Sequence, residues 1–232
     1  MALFLNKIQV GFIFEDRFVD VQKIYGESIQ GRFDGLTDIT PLPDSVELDE
    51  FPALSVSSKD GKLRLAGTRK RIDFFVENIK ISMNEQKSDF ALLKDDVFEI
   101  TKLIHEELVG NKATIKRLAV IHFFDLTSDD NAVNAKTRDF VLKDVFEKID
   151  GNPISSNIRV LKEINDTNFK FNNLLHINGD IGIQNTVRIQ RDMNTNHRLS
   201  YSTKLTEWEN VKYVLDFSYG HLNLDQILSL FK

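Results

Sequence analysis

The 232-residue chain reads as an α+β protein whose largely antiparallel sheets are covered by helices, an order compatible with two ferredoxin-like halves. Three observations predict this. Segments with two-residue apolar alternation outnumber segments with helical period. Asp60-Gly61 and Asn178-Gly179 are hairpin signals, because glycine after Asp or Asn supplies positive φ for a type I′ turn. A long amphipathic helix pattern runs into an apolar strand over residues 88–125, and hairpin-linked strands interrupted by helices make the α+β class.

Residues 7–15 alternate Ile8, Val10, Phe12 and Phe14 with Lys7, Gln9 and Gly11, the pattern of a half-buried strand. Phe18, Val21, Ile24, Tyr25 and Ile29 recur at steps of three and four, which predicts an amphipathic helix ended by Gly31 and Gly35. Residues 36–52 are acidic, hold Pro41, Pro43 and Pro52, and read as an exposed loop. Strands follow at 54–59, 63–65 and 71–81, the last with Ile72, Phe74 and Val76 inward. Ser88 can cap a helix whose apolar stripe is Phe90, Leu93, Val97, Ile100, Ile104 and Leu108, with Gly110 suited to its C-terminal cap. The strand at 114–126 is nearly continuously apolar, so both its faces are expected to be covered.

Residues 127–136 read as a polar loop and 139–149 as a short helix, broken at Gly151-Asn152-Pro153. Strands are expected at 157–164, 168–177, within 181–193 and at 211–219, and a short helix over 222–231. The chain divides at 126/127 into a strand-helix-hairpin-helix-strand half, 1–126, and a helix-plus-strands half, 127–232, or forms one continuous domain.

Composition narrows the function classes. A hydrophobic content of 41% with a net charge of −5 excludes a disordered chain and a uniformly basic nucleic-acid binder, though not a local basic patch. The absence of cysteine removes disulfides, thiolate metal sites and cysteine nucleophiles, and suits a reducing cytoplasm. No apolar run approaches the ~18–20 residues of a membrane span, and the start has no signal-peptide character, so the expectation is a cytoplasmic protein with no membrane partner.

The order of elements, with Lys59-Asp60-Gly61-Lys62, the helix from Phe90 to Leu108, Arg117-Leu118 and Val214-Leu215-Asp216-Phe217, resembles a sporadically distributed bacterial family of functionally uncharacterised α+β proteins. The resemblance implies an architecture and carries no known reaction; a role in bacterial defence or on a mobile element would fit the family's patchy distribution. Ala119 stands where that family has glycine, and Ile121-His122 replaces an arginine and a tyrosine, so no site residues transfer at those positions.

No phosphate loop, zinc helix, nucleophile elbow or EF-hand is present, and the five histidines show no metal-ligand spacing, so no metal and no cofactor are expected. His122 and Asp125, near Ser128-Asp129-Asp130, are the weak catalytic candidates of a hydrolase reading, although strand periodicity points them to opposite faces. Two basic segments could hold anions or nucleic acid: Arg69, Lys70 and Arg71; and Arg188, Arg191, Arg198 and Lys204 with His197. Against each stands the plainer reading of a solvated turn or a polar hairpin face. Trp208 is an interface candidate or the end of the core. The adjacent pair Phe123-Phe124 must face both ways from one strand, which calls for helices on each side or a second subunit. The leading expectation is a non-enzymatic protein acting through self-association or a protein partner. A nucleic-acid binder and an unrecognised hydrolase are the alternatives.

Overall fold

The computed structural model describes residues 2–17, 21–35, 37–39, 49, 52–127, 155–180 and 186–222. Its strands are β1 (Ala2–Phe14), β2 (Thr37–Ile39), β3 (Leu54–Ser57), β4 (Leu63–Gly67), β5 (Arg71–Val76), β6 (Ile81–Ser82), β7 (Ile115–Thr127), β8 (Ser155–Asn165), β9 (Lys170–Asp180) and β10 (Thr186–Thr195). The described helices are α1 (Glu27–Gln30), α2 (Lys87–Gly110) and α3 (Trp208–Gly220), with a 3-10 turn at Val21–Ile24. The strands form one sheet in the order β2-β3-β4-β5-β1-β7-β10-β9-β8, and β6 extends the β5 side of β1. Every described pairing is antiparallel, as expected for an α+β chain.

Register decides which face is core. Leu3, Leu5, Ile8, Val10 and Phe12 of β1 stand beside Leu126, Phe124, His122, Val120 and Leu118 of β7. The inward residues of β1 change from odd to even numbers because the pairing shifts between Leu5 and Lys7, leaving Asn6 as the extra residue of a bulge. Val187, Ile189 and Met193 of β10 continue the same face. Val97, Ile100, Ile104 and Leu108 of α2 and Val211, Val214 and Leu215 of α3 close over it. Each fully buried aliphatic side chain contributes about 1.5–3 kcal/mol, so this single cluster dominates the stability.

Several elements depart from the sequence expectation. The helix expected from Phe18 is two short pieces, the 3-10 turn and α1, parted at Gly26, whose backbone is extended. Thr37–Ile39, inside the expected loop, pairs with β3. The Asp60-Gly61 hairpin closes through a longer loop: Ser58 N–H donates to Leu63 C=O at 2.9 Å, and only Gly61 has positive φ, +68°. Asp60 Oδ1 fills that loop by accepting from Ser58 Oγ at 2.6 Å and Lys62 N–H at 3.0 Å.

Helix α2 begins one residue before Ser88, and Gln86 organises its start by accepting the Ser82 N–H at 2.8 Å and donating to Asp89 at 2.9 Å. At its other end Asn111 is the cap and Lys112, φ +61°, takes the left-handed position expected of Gly110. The strand expected at 71–81 breaks at Asn78, φ 54°, into β5 and β6.

Two corrections change the second half. Asn178 and Gly179 are not a turn: they lie within β9, opposite Arg188 and Val187 on one side and Asn157 and Ser156 on the other. Residues 211–219 are not a strand. They belong to α3, because Val211, Val214, Leu215 and Ser218 share one helical face and that face is buried. The expected loop after β7, the helix at 139–149, the break at 151–153 and the closing helix beyond Leu222 lie outside the described residues.

Candidate binding surfaces

The described helices all pack on the Val10–Val120 face of the sheet. The opposite face is polar, and no described helix lies on it. Gly11 is opposite both Asp73 and Ala119, and Ala119 is opposite Asn194, so glycine and alanine form a shallow floor between charged walls. A Cβ on Gly11 would stand 2.7 Å from Asp73 Oδ1, which places the carboxylate over bare backbone. Asp73 pairs with Arg71 at 2.6 Å and accepts from Gln9 Nε2 at 2.9 Å. Across the floor Asn194 Nδ2 donates to Asp192 at 2.8 Å, and Asn172 Nδ2 donates to Asn194 at 3.1 Å. Burial raises the Asp192 pKa and lowers that of Arg117, the direction for charged groups losing water. Within the network Arg71 and Asp73 form an ion pair, and Asp192 is held by the Asn194 amide, so it sets hydrogen-bonding groups on the face without joining a nucleophile to a base among the described residues.

The same face explains Phe123 and Phe124. Phe124 is buried toward the helices. Phe123 and its neighbour Phe75 are roofed by cations: Lys7 Nζ lies 5.5 Å from the Phe123 centroid and 4.5 Å from that of Phe75, and the Arg64 guanidinium lies 3.8 Å from Phe75. Glu77 ties both cations in place, at 2.7 Å to Lys7 and 3.2 Å to Arg64. Long cationic stems over rings thus supply the cover that helices were expected to give.

His122 is 1% exposed, and among the described residues neither ring nitrogen has a hydrogen-bond partner. Its ring meets the edge of Tyr219 at 4.8 Å, and burial first, then the Arg191 charge, pushes its pKa down to about 3. A neutral histidine packed as an aromatic spacer is the result. Asp125 projects from the other face, opposite Arg188 in the register.

The basic candidates fall in different environments. Arg69 is 1% exposed, Lys70 pairs with Asp49 at 3.6 Å, and Arg71 belongs to the polar network. Arg191 is 9% exposed on the helix side and donates to Asn173 at 3.2 Å, while Arg188 is exposed on the polar face. Arg198 is exposed beyond the end of β10, and Lys204 donates to the Asn168 carbonyl at 2.6 Å. Trp208 lies half-buried at the start of α3, its ring 5.9 Å from that of His105.

Strand β8 presents a different kind of surface. It ends the sheet order, so among the described residues one side of its backbone has no strand partner. Its central side chains Val160 and Leu161 are 53% and 57% exposed and point to opposite faces. Nothing in the residue-by-residue reading of the sequence singled this strand out. Its signal was the pattern Asn157-Ile158-Arg159-Val160-Leu161-Lys162-Glu163-Ile164-Asn165, in which amide, isoleucine and charged residues recur symmetrically about Leu161 and only Val160 and Lys162 do not match.

One cleft of about 740 Å³ lies between the β3–β4 hairpin and the first half of α2. On its rim Lys59 pairs with Asp34 at 3.0 Å and Lys62 with Asp60 at 3.9 Å. Among the described residues no group of three or more His, Asp and Glu side chains converges, and no helix is long and apolar enough to cross a membrane. No family model matches the chain, and no curated protein matches it.

Proposed function

We propose that the protein acts by binding and that self-association is its primary mode. The observation that carries this is the outer strand β8, which has no strand on its outer side among the described residues and is eleven residues long with exposed apolar side chains at its centre. Sheets normally blunt such edges with short strands, prolines or cover, because unpaired backbone groups recruit other chains. The polar network around Gly11 and Ala119 supports a second contact surface for a protein partner on the same sheet. A chain without cysteine works unchanged in a reducing compartment, and the reading places it in the cytoplasm.

Light scattering coupled to size exclusion, run over a concentration series, tests the reading. A mass that rises toward twice 26.7 kDa with concentration is expected. A strictly monomeric mass throughout removes self-association.

A further inference from the structure

Building on that reading, we infer that a second copy of this chain pairs antiparallel with β8 about a two-fold axis at Leu161, joining the two sheets edge to edge.

Two identical antiparallel strands meet about an axis perpendicular to the sheet, so each register is defined by the residue placed opposite itself. Centred on Leu161, Arg159 faces Glu163 of the second copy, and Glu163 faces Arg159 of the second copy. The same register sets Ile158 opposite Ile164, Asn157 opposite Asn165 and Leu161 opposite itself, with Val160 beside the Lys162 stem. Two opposite-charge pairs, two aliphatic pairs and two amide pairs thus fall on one register. The neighbouring registers lose this. Centring on Lys162 or on Glu163 sets like charges face to face, as does centring on Arg159. Centring on Val160 puts Ile158 opposite Lys162 and Arg159 opposite Leu161.

The side chains agree with the faces the fold assigns them. Arg159, Leu161 and Glu163 lie on the polar face, Ile158 and Ile164 on the helix side, and directly opposed residues of an antiparallel pair share a face. Arg159 makes no ion pair among the described residues. Glu163 uses Oε1 to accept from Asn196 at 3.0 Å, leaving its other oxygen for an arginine. Ile158 and Ile164 are half-buried against the monomer core and Leu161 is more than half exposed, so apolar area remains to be covered where the axis passes. The opposite end of the sheet does not compete, since β2 offers three residues.

Charge reversal tests the register. Arg159→Glu and Glu163→Arg, each alone, set like charges opposite at two places, and each is expected to weaken dimerisation about tenfold or more, since cross-strand pairs swing by up to ~1 kcal/mol apiece. Mixing the two variants restores opposite charges at both places and is expected to recover the dimer, as is the double variant alone. Circular dichroism melts of the dilute variants show that folding is intact: Arg159→Glu is expected to match the parent and Glu163→Arg to melt slightly lower, since it gives up the Asn196 hydrogen bond. The chain's lack of cysteine lets single cysteines report geometry. Nitroxide labels on Asn165→Cys, eight residues out of register with their copies, are expected ~27 Å apart at ~3.4 Å per residue. Labels on Leu161→Cys are expected in near contact. A dimer that ignores both reversals, or that gives other label separations, overturns this inference and leaves self-association standing. A monomer at every concentration overturns both.

Discussion

The two flanks of the β1–β7 pair are built differently. On one side β5, β4, β3 and β2 shorten from six residues to five, four and three, so the sheet tapers to a small edge. That taper is wrapped by the segment at 21–35, with Phe33 edge-on to Phe74 at 6.1 Å and Gly35 lying against the β3 backbone. On the other side β10, β9 and β8 keep ten, eleven and eleven residues, and among the described residues the outermost has no strand on its outer side. The lesson is that an antiparallel sheet can end within its own chain or at another one. The tapered flank does the first, and the long flank has the form of the second.

Mutations separate the flanks by what they damage. Phe74→Ala, in the wrapped flank, is expected to cost about 3–5 kcal/mol in chemical denaturation, the scale for emptying a buried phenylalanine site. Leu161→Ala on β8 is expected to leave the dilute monomer within ~0.5 kcal/mol while weakening association. Equal losses of monomer stability at the two sites would erase the distinction.

Acid acts at the junction between the flanks. The folded pKa of His122, about 3, lies below the ordinary value of 6.5, so above pH 6.5 its burial carries no protonation penalty. As pH falls from 6.5 toward 3 the unfolded chain takes up a proton the folded chain refuses, and stability is lost, on the order of 4 kcal/mol by the lower limit. His122→Phe is expected to flatten that part of the stability-versus-pH curve; an unchanged slope in denaturant titrations would assign the acid sensitivity elsewhere.

A smaller effect tests the wrapping. A Cβ at Gly35 would meet the Ser57 carbonyl oxygen at 2.1 Å, a backbone atom with little room to yield. Gly35→Ala is expected to cost about 1–3 kcal/mol and to speed hydrogen exchange in β3 without touching β8. The smallest expected effect is on α3, where Asp216→Asn removes the surface pairs with Lys212 and Lys94 and is expected to shift stability by no more than ~0.5–1 kcal/mol. Calorimetry reads both changes.

Parts of the first half were legible in the sequence because their signals are local. The alternation at Ile8, Val10, Phe12 and Phe14, the Asp60-Gly61 turn and the α2 stripe each identify an element without knowledge of its neighbours. The long flank was harder. Residues 211–219 satisfy both periods, since Val211, Tyr213, Leu215, Phe217 and Tyr219 alternate while Val211, Val214, Leu215 and Ser218 share a helical face. Packing against His122 and Phe171 selects the helix, with the Phe217 ring stacked 4.0 Å from Phe171. Asn178-Gly179 carries a turn signal yet is held extended by strands on both sides. The polar network is illegible for a different reason: Gly11, Asp73, Arg117, Asp192 and Asn194 come from four strands and meet only through register. The β8 pattern is visible in the sequence, but it acquires meaning only once the strand is known to lie at an edge.

Residue-resolved amide hydrogen exchange, followed as protein concentration is raised, tests the contrast between the two edges most directly. Amides on the outer side of β8 between residues 157 and 165 are expected to slow as concentration rises, with alternate residues affected, while β2 and β3 exchange at constant rates. Concentration-independent exchange across β8, or protection that appears at β2 instead, would contradict the claim that the long edge is completed by a second chain.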